Sequence, residues 1–172
     1  MHYHFEVWVP VDTNIEYHVE EALKPYQDKL WDWWQIGGRW KGVHVRGYEA
    51  DKDPEHIETC ILCNGTGTRP DGLGLFGAEW VKEMNGCNGC KGEGKRTSWP
   101  TAWRPHKGDV LPVSGVPPDL TCNTLILPGN AISTEVWTGE KWQETGFDGK
   151  VAAALKENHM LGGFIVTVDC HD

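Results

Sequence analysis

Two short cysteine blocks constrain this chain more than any other feature of its sequence. The first block reads CILCNGTG from Cys60 and the second reads CNGCKGEG from Cys87, so each has the form Cys-x-x-Cys-x-Gly-x-Gly. A Cys-x-x-Cys turn brings two sulfurs together, and zinc prefers four soft ligands arranged as a tetrahedron. Glycine after the second cysteine relieves the steric cost of such a turn. The blocks therefore predict one structural zinc ion, held by Cys60, Cys63, Cys87 and Cys90.

Paired cysteines also occur as a redox pair, as two disulfides or by chance. Redox pairs occur singly, usually beside a βαβ unit, and they do not account for the repeated glycines. The first residues, MHYHFEVWVP, lack the basic and apolar regions of a signal peptide, so we expect a cytoplasmic protein in a reducing compartment. Metal binding is favoured there over disulfides. Zinc would also stabilise an insert that has little apolar material of its own.

The two blocks resemble the repeats of the cysteine-rich zinc finger of DnaJ-type chaperones. Proteins of that family carry four repeats and bind two zinc ions, whereas this chain has two repeats, enough for one ion. The chain lacks a His-Pro-Asp tripeptide and the J-domain around it, so the resemblance implies zinc ligation by the four cysteines and no co-chaperone activity. The segments HFEVWVP, WDWWQIGGRW and VTVDCH resemble a family of uncharacterised phage-borne and bacterial proteins, which implies a phage origin and the host cytoplasm.

Outside the cysteine blocks, hydrophobic periodicity predicts an α+β domain. Residues 3–9 alternate as a half-buried strand does, and helical spacing begins at Ile15. A second strand is predicted from Arg39-Trp40 and residues 43–45, and further strands at 120–127 and 164–170, with a hairpin at 135–144 and a helix at 150–159. This order predicts a ferredoxin-like (split βαβ) antiparallel sheet with helices on one face. Residues 1–56 and 98–172 would form the sheet domain, and residues 57–97 the inserted four-cysteine zinc-finger module.

Two local expectations follow for the insert. A two-stranded ribbon should bound it, and a short helix should carry Trp80, Val81 and Met84 on one side.

Antiparallel pairing of the first and last strands would gather polar side chains on one face of the sheet. Alternation places His2, His4 and Glu6 there, with Thr167, Asp169 and His171 from the neighbouring strand. Two or three histidines with a carboxylate can hold zinc, manganese or iron with an open position for water. We therefore predict His2, His4, Asp169 and His171 as candidate catalytic residues. The competing interpretation is an exposed polar face without a function.

A tryptophan-rich tract, WDWWQIGGRW, has two interpretations. Its indoles (Trp31, Trp33, Trp34 and Trp40) can form a stacking platform for a base, helped by Arg39. The other interpretation is that they pack the edge of the sheet. We favour it because aromatic clusters belong to a hydrophobic core more often than to a binding site.

Charge and motifs narrow the classes of function. The formal net charge is −9 and no basic stripe is visible, so nucleic acid is a disfavoured partner. No stretch is apolar for long enough to span a bilayer. Neither a Walker loop nor a Ser-His-Asp arrangement appears. We therefore expect a zinc-binding accessory or regulatory protein, phage-encoded, that binds a protein partner such as a host protein. The alternative is a metal-dependent phosphodiesterase or nuclease-type hydrolase with its His/Asp site on the open sheet face.

Overall fold

The computed structural model describes residues 1–49, 52–71, 86–97 and 108–172. The chain divides into two compact units. The sheet unit comprises Met1–Tyr48 with Thr101–Asp172, and the cysteine unit comprises Glu49–Pro100. The predicted helix with Trp80, Val81 and Met84 lies outside the described residues.

In the described residues, strands outnumber helices. The strands are β1 (His2–Val9), β2 (Trp33–Ile36), β3 (Ile57–Thr59), β4 (Lys95–Thr97), β5 (Val110–Pro112), β6 (Thr124–Leu127), β7 (Asn130–Ser133), β8 (Glu135–Trp137), β9 (Trp142–Glu144) and β10 (Phe164–His171). The α-helices are α1 (Ile15–Leu23) and α2 (Val151–Glu157). None of the helices in these segments is long and apolar enough to cross a membrane.

The main sheet is centred on the first and last strands. Its strand order is β2-β10-β1-β6-β7, and β5 also pairs with β10. Strands β1 and β10 run antiparallel, as predicted, with His4 opposite Asp169 and Glu6 opposite Thr167. Strand β6 runs parallel to β1, so the sheet is mixed. The α+β class is confirmed, whereas the expectation of a purely antiparallel sheet is wrong.

The two helices pack against different faces of this sheet. Val166 belongs to the apolar cluster that contains α1, and its neighbour Ile165 belongs to the cluster that contains α2. Successive residues of a strand point to opposite faces, so α1 and α2 lie on opposite sides. The prediction of helices on one face is therefore wrong, and the ferredoxin-like pattern is not confirmed. Strand β10 is apolar on both faces at this end, which is why each face needs a helix.

The second strand lies earlier than predicted. Residues Trp33–Ile36 form β2, whereas Gly38–Trp40 form a 3₁₀ turn. Within the tryptophan tract, Trp31 is buried in the α1 cluster and its Nε1 donates a hydrogen bond to the Leu23 carbonyl oxygen at 3.1 Å. That indole packs the core, which is the interpretation favoured from the sequence.

Two predicted hairpin-like pairs are confirmed. Strands β3 and β4 form the ribbon that bounds the insert, with Ile57 opposite Thr97. Strands β8 and β9 form the predicted hairpin, with Trp137 opposite Trp142.

Candidate metal centre and buried polar cluster

The four cysteines of the two blocks converge on one point. The Sγ atoms of Cys60, Cys63, Cys87 and Cys90 all lie within 4.8 Å of one another, and all four side chains are buried. The Cys60 and Cys87 sulfurs are 3.7 Å apart, and those of Cys63 and Cys90 are 3.6 Å apart. Four buried sulfurs at such spacing can hold one metal ion, and thiolates are the ligands that zinc favours.

The glycines of each block pack against the other block. A Cβ atom on Gly67 would lie 2.2 Å from the Gly92 carbonyl oxygen, and one on Gly94 would lie 2.2 Å from the Gly65 carbonyl oxygen. All four glycines also have positive φ. Gly67 and Gly94 form the close contact between the blocks, which explains why the second glycine of each block recurs.

The thiols of the cluster differ in acidity. Burial disfavours the thiolate of Cys63, but hydrogen bonds, chiefly from the Gly67 amide and the Cys90 thiol, outweigh it and lower its pKa to about 7. Burial raises the pKa of Cys90 to about 11, although the Gly94 amide nitrogen lies 3.2 Å from its sulfur. A metal must therefore displace protons from the cluster, which makes its binding dependent on pH.

A second cluster of polar side chains lies buried on the sheet face opposite α1. The Glu6 Oε1 atom is 2.7 Å from His4 Nε2 and 2.8 Å from His44 Nε2. The Thr167 hydroxyl donates to the same oxygen at 3.0 Å. The side chains of Glu6 and His44 are fully buried. One carboxylate oxygen therefore accepts hydrogen bonds from three side chains that belong to three parts of the chain.

The protonation of this cluster follows from its contacts. Burial raises the pKa of Glu6, but the hydrogen bonds from His4 and His44 and their electrostatic attraction for the carboxylate outweigh it, so the pKa lies below its ordinary value of 4.5. Glu6 is therefore a carboxylate at neutral pH. Within the described residues, its Oε2 atom and the Nδ1 atom of His44 are buried without a hydrogen-bond partner. Such atoms carry a desolvation cost.

The glycine pair of the tryptophan tract packs beside this cluster. A Cβ atom on Gly38 would lie 2.4 Å from the Asp169 Cβ, and one on Gly37 would lie 3.0 Å from an Asp109 carboxylate oxygen. Trp40 then stacks on His4, with ring centroids 5.4 Å apart. The segment from Gly37 to His44 can therefore lie against the polar face only because its first two residues have no side chain.

The candidate catalytic residues take part in two His–Asp pairs, and the rings of His2 and His171 are neighbours, with centroids 5.0 Å apart. His2 Nδ1 lies 2.8 Å from Asp169 Oδ1, and His171 Nδ1 lies 3.0 Å from Asp32 Oδ1. His4 is opposite Asp169 in the register, but its Nε2 contacts Glu6. Over the described segments, the four cysteines are the only group of three or more His, Cys, Asp or Glu side chains whose ligand atoms all lie within 4.8 Å. A second metal at His2, His4, Asp169 and His171 stays a prediction.

Sequence reasoning missed the central residues of the polar cluster. Alternation predicts the face on which Glu6 lies but not that Glu6 is buried there, and no motif in the sequence points to His44. The feature of the sequence that indicates this packing is the pair Gly37-Gly38, because two residues without side chains allow the backbone to lie close against a neighbouring segment.

Comparisons with protein-family models, with curated proteins and with solved structures find no match to this chain. The resemblance to DnaJ-type zinc fingers therefore rests on the two cysteine blocks alone. The cysteine cluster itself stands on geometry and does not depend on that resemblance.

Proposed function

We propose that this protein is a zinc-binding accessory or regulatory protein, with one structural zinc at Cys60, Cys63, Cys87 and Cys90, that binds a protein partner through its zinc module. The observation that carries the proposal is the buried four-sulfur cluster. Its chemistry suits zinc because all four ligands are thiols. We take residues 57–97 as the module, bounded by the β3–β4 ribbon.

The surface of the module supports a binding role. Ile61 and Leu62 lie between the first two cysteines, and Ile61 is 67% exposed. The matching positions of the second block are Asn88 and Gly89, so only the first turn is apolar. A zinc-held turn presents such a side chain in a fixed position, which lowers the entropic cost of binding. If the gene belongs to a phage, a host protein is the partner we expect.

The experiment starts from affinity capture on the zinc-loaded chain and then measures the Kd of the captured protein after its purification. Burying the exposed part of Ile61 is worth about 1–2 kcal/mol, so Ile61→Ser should weaken binding roughly 5- to 30-fold. Asn88→Ser changes the matching position of the other block and should leave the Kd within about a factor of two. Zinc removal should abolish binding.

Two outcomes would count against the proposal. A partner that binds Ile61→Ser and the chelated chain as tightly as wild type would exclude the module as the binding surface. A chain that binds no protein but takes up a second metal would favour the hydrolase alternative, which no specific contact in the described segments supports at present.

A further inference from the structure

A cleft in the sheet unit lies beside the β8–β9 hairpin and belongs to neither cluster above. It has a volume of about 400 Å³, within the range of small-ligand sites. The buried residues that line the cleft are Phe5 and Thr124. One wall of the cleft is formed by the hairpin, with all of β8, which includes Trp137, and with Trp142 of β9. Both indoles are 52% exposed, although tryptophan is a costly residue to leave in water.

One face of this hairpin combines two aromatic rings with two carboxylates. Glu135 pairs with Glu144, and Trp137 pairs with Trp142 two positions further along. Residues two apart in a strand share a face, so all four side chains project to the same side. The indole centroids are 5.6 Å apart and the rings are tilted by 56°. The rings therefore adjoin each other without stacking flat.

The two facing glutamates are an unbalanced pair. Like charges directly opposite each other destabilise a β-ladder. Within the described segments, neither Glu135 nor Glu144 has an ion-pair partner, whereas exposed acids elsewhere, such as Asp148 with Lys150, do. The other charged residues that line the cleft, Lys29 and Asp172, have opposite signs. Of the two glutamates, Glu135 lines the cleft, and Glu144 lies directly opposite it on β9.

Three of the neutral polar side chains that line the cleft already have hydrogen-bond partners. The Asn123 Oδ1 atom accepts a hydrogen bond from the His4 amide at 2.8 Å, and the hydroxyls of Thr124 and Ser133 lie 3.0 Å apart. An organic cation needs only aromatic faces and a negative charge, and tryptophan is the aromatic residue that attracts cations most strongly.

We infer that Glu135, Trp137, Trp142 and Glu144, with the adjoining cleft, form a binding site for an alkylated ammonium cation. The indole faces contact the alkyl groups of the cation, and the carboxylates balance its charge. The cation is either a free small molecule or the side chain of a modified lysine in a peptide. This site lies in the sheet unit, so its test is independent of zinc and of the proposed partner.

The test is a titration of the zinc-loaded chain with choline. The NMR signals of the indole Nε1–H groups report the binding. Choline should shift two indole signals, which Trp137→Phe and Trp142→Phe assign, and bind in the millimolar range or tighter. Its neutral isostere 3,3-dimethyl-1-butanol should bind at least roughly 10-fold more weakly, because it has the shape of choline without the charge.

Matched variants locate the site. Trp142→Ala should weaken choline binding roughly 2- to 30-fold, whereas Trp142→Phe, which keeps a ring, should lose less. Glu135→Gln combined with Glu144→Gln should also weaken binding. Glu140→Gln, in the turn of the same hairpin, is the control and should leave the affinity unchanged.

A trimethyllysine peptide distinguishes the two sources of the cation. If the peptide binds at least about 10-fold more tightly than choline, the ligand is a protein side chain; equal affinity indicates a free cation. The proposal is overturned if the neutral isostere binds as well as choline. It is equally overturned if neither choline nor the peptide shifts the indole signals at about 50 mM.

Discussion

The contact between Gly38 and Asp169 gives the sharpest test of the sheet unit. A Cβ atom at position 38 would lie 2.4 Å from the Asp169 Cβ and 2.6 Å from its Oδ2. Asp169 cannot turn away freely, because its Oδ2 accepts a hydrogen bond from the Arg39 amide and its Oδ1 contacts His2. Gly38→Ala should therefore either push the two segments apart or break these partly buried contacts.

The expected loss of stability in Gly38→Ala has two parts, backbone strain and overpacking, and a second glycine separates them. Gly38 has φ +50°, and alanine in that region costs about 1–2 kcal/mol. Gly47 has φ +78° with nothing within 4 Å of its Cβ position, so Gly47→Ala should show that cost alone. Overpacking and the loss of a partly buried hydrogen bond add about 2–4 kcal/mol for Gly38→Ala.

The assay is thermal unfolding of zinc-loaded wild type, Gly38→Ala and Gly47→Ala at neutral pH, followed by circular dichroism. At about 3 °C per kcal/mol, Gly38→Ala should melt roughly 6–12 °C below Gly47→Ala. Equal melting temperatures would show that residues 37–44 do not pack against the strand that carries Asp169.

Three further outcomes follow from the pKa shifts and from the zinc module. The pKa of Glu6 is lowered below 4.5, so the contribution of Glu6 to the free energy of unfolding is present above that pH and is lost as the pH falls through the folded-state pKa. Glu6→Gln should flatten this dependence of the free energy of unfolding on pH, measured by urea titrations. Burial raises the thiol pKa of Cys122 and Cys170, so Ellman's reagent should detect no thiols with zinc bound, four after chelation and six after unfolding. Chelation should raise hydrogen exchange in residues 57–97 far more than in residues 164–169, and a uniform rise would exclude an autonomous module.

The sequence predicted local features of the fold better than their arrangement in space. Alternation located β1 and β10 and the hairpin of β8 and β9, because each pattern is set by neighbouring residues. It did not predict that β6 runs parallel to β1 or that the helices lie on opposite faces. Those features depend on contacts between distant segments, and the apolar residues on both faces of β10 fit more than one topology.

The two candidate sites differ in the same way. The cysteine cluster was predictable because its ligands come from two short blocks, and the spacing of the cysteines in each block is typical of a metal site. The contacts of Glu6 come from His44 and Thr167, which are far apart in the sequence and belong to no motif. A single buried glutamate in an alternating strand looks identical, in sequence, to an exposed one.

Zinc stoichiometry tests the central claim most directly. Elemental analysis and X-ray absorption should be measured on the wild-type chain and on the double variant Cys63→Ser with Cys90→Ser, both purified under reducing conditions. We predict one zinc per wild-type chain with four sulfur neighbours at about 2.3 Å, and no zinc in the variant. A wild-type chain without zinc, or a variant that retains it, would contradict the account.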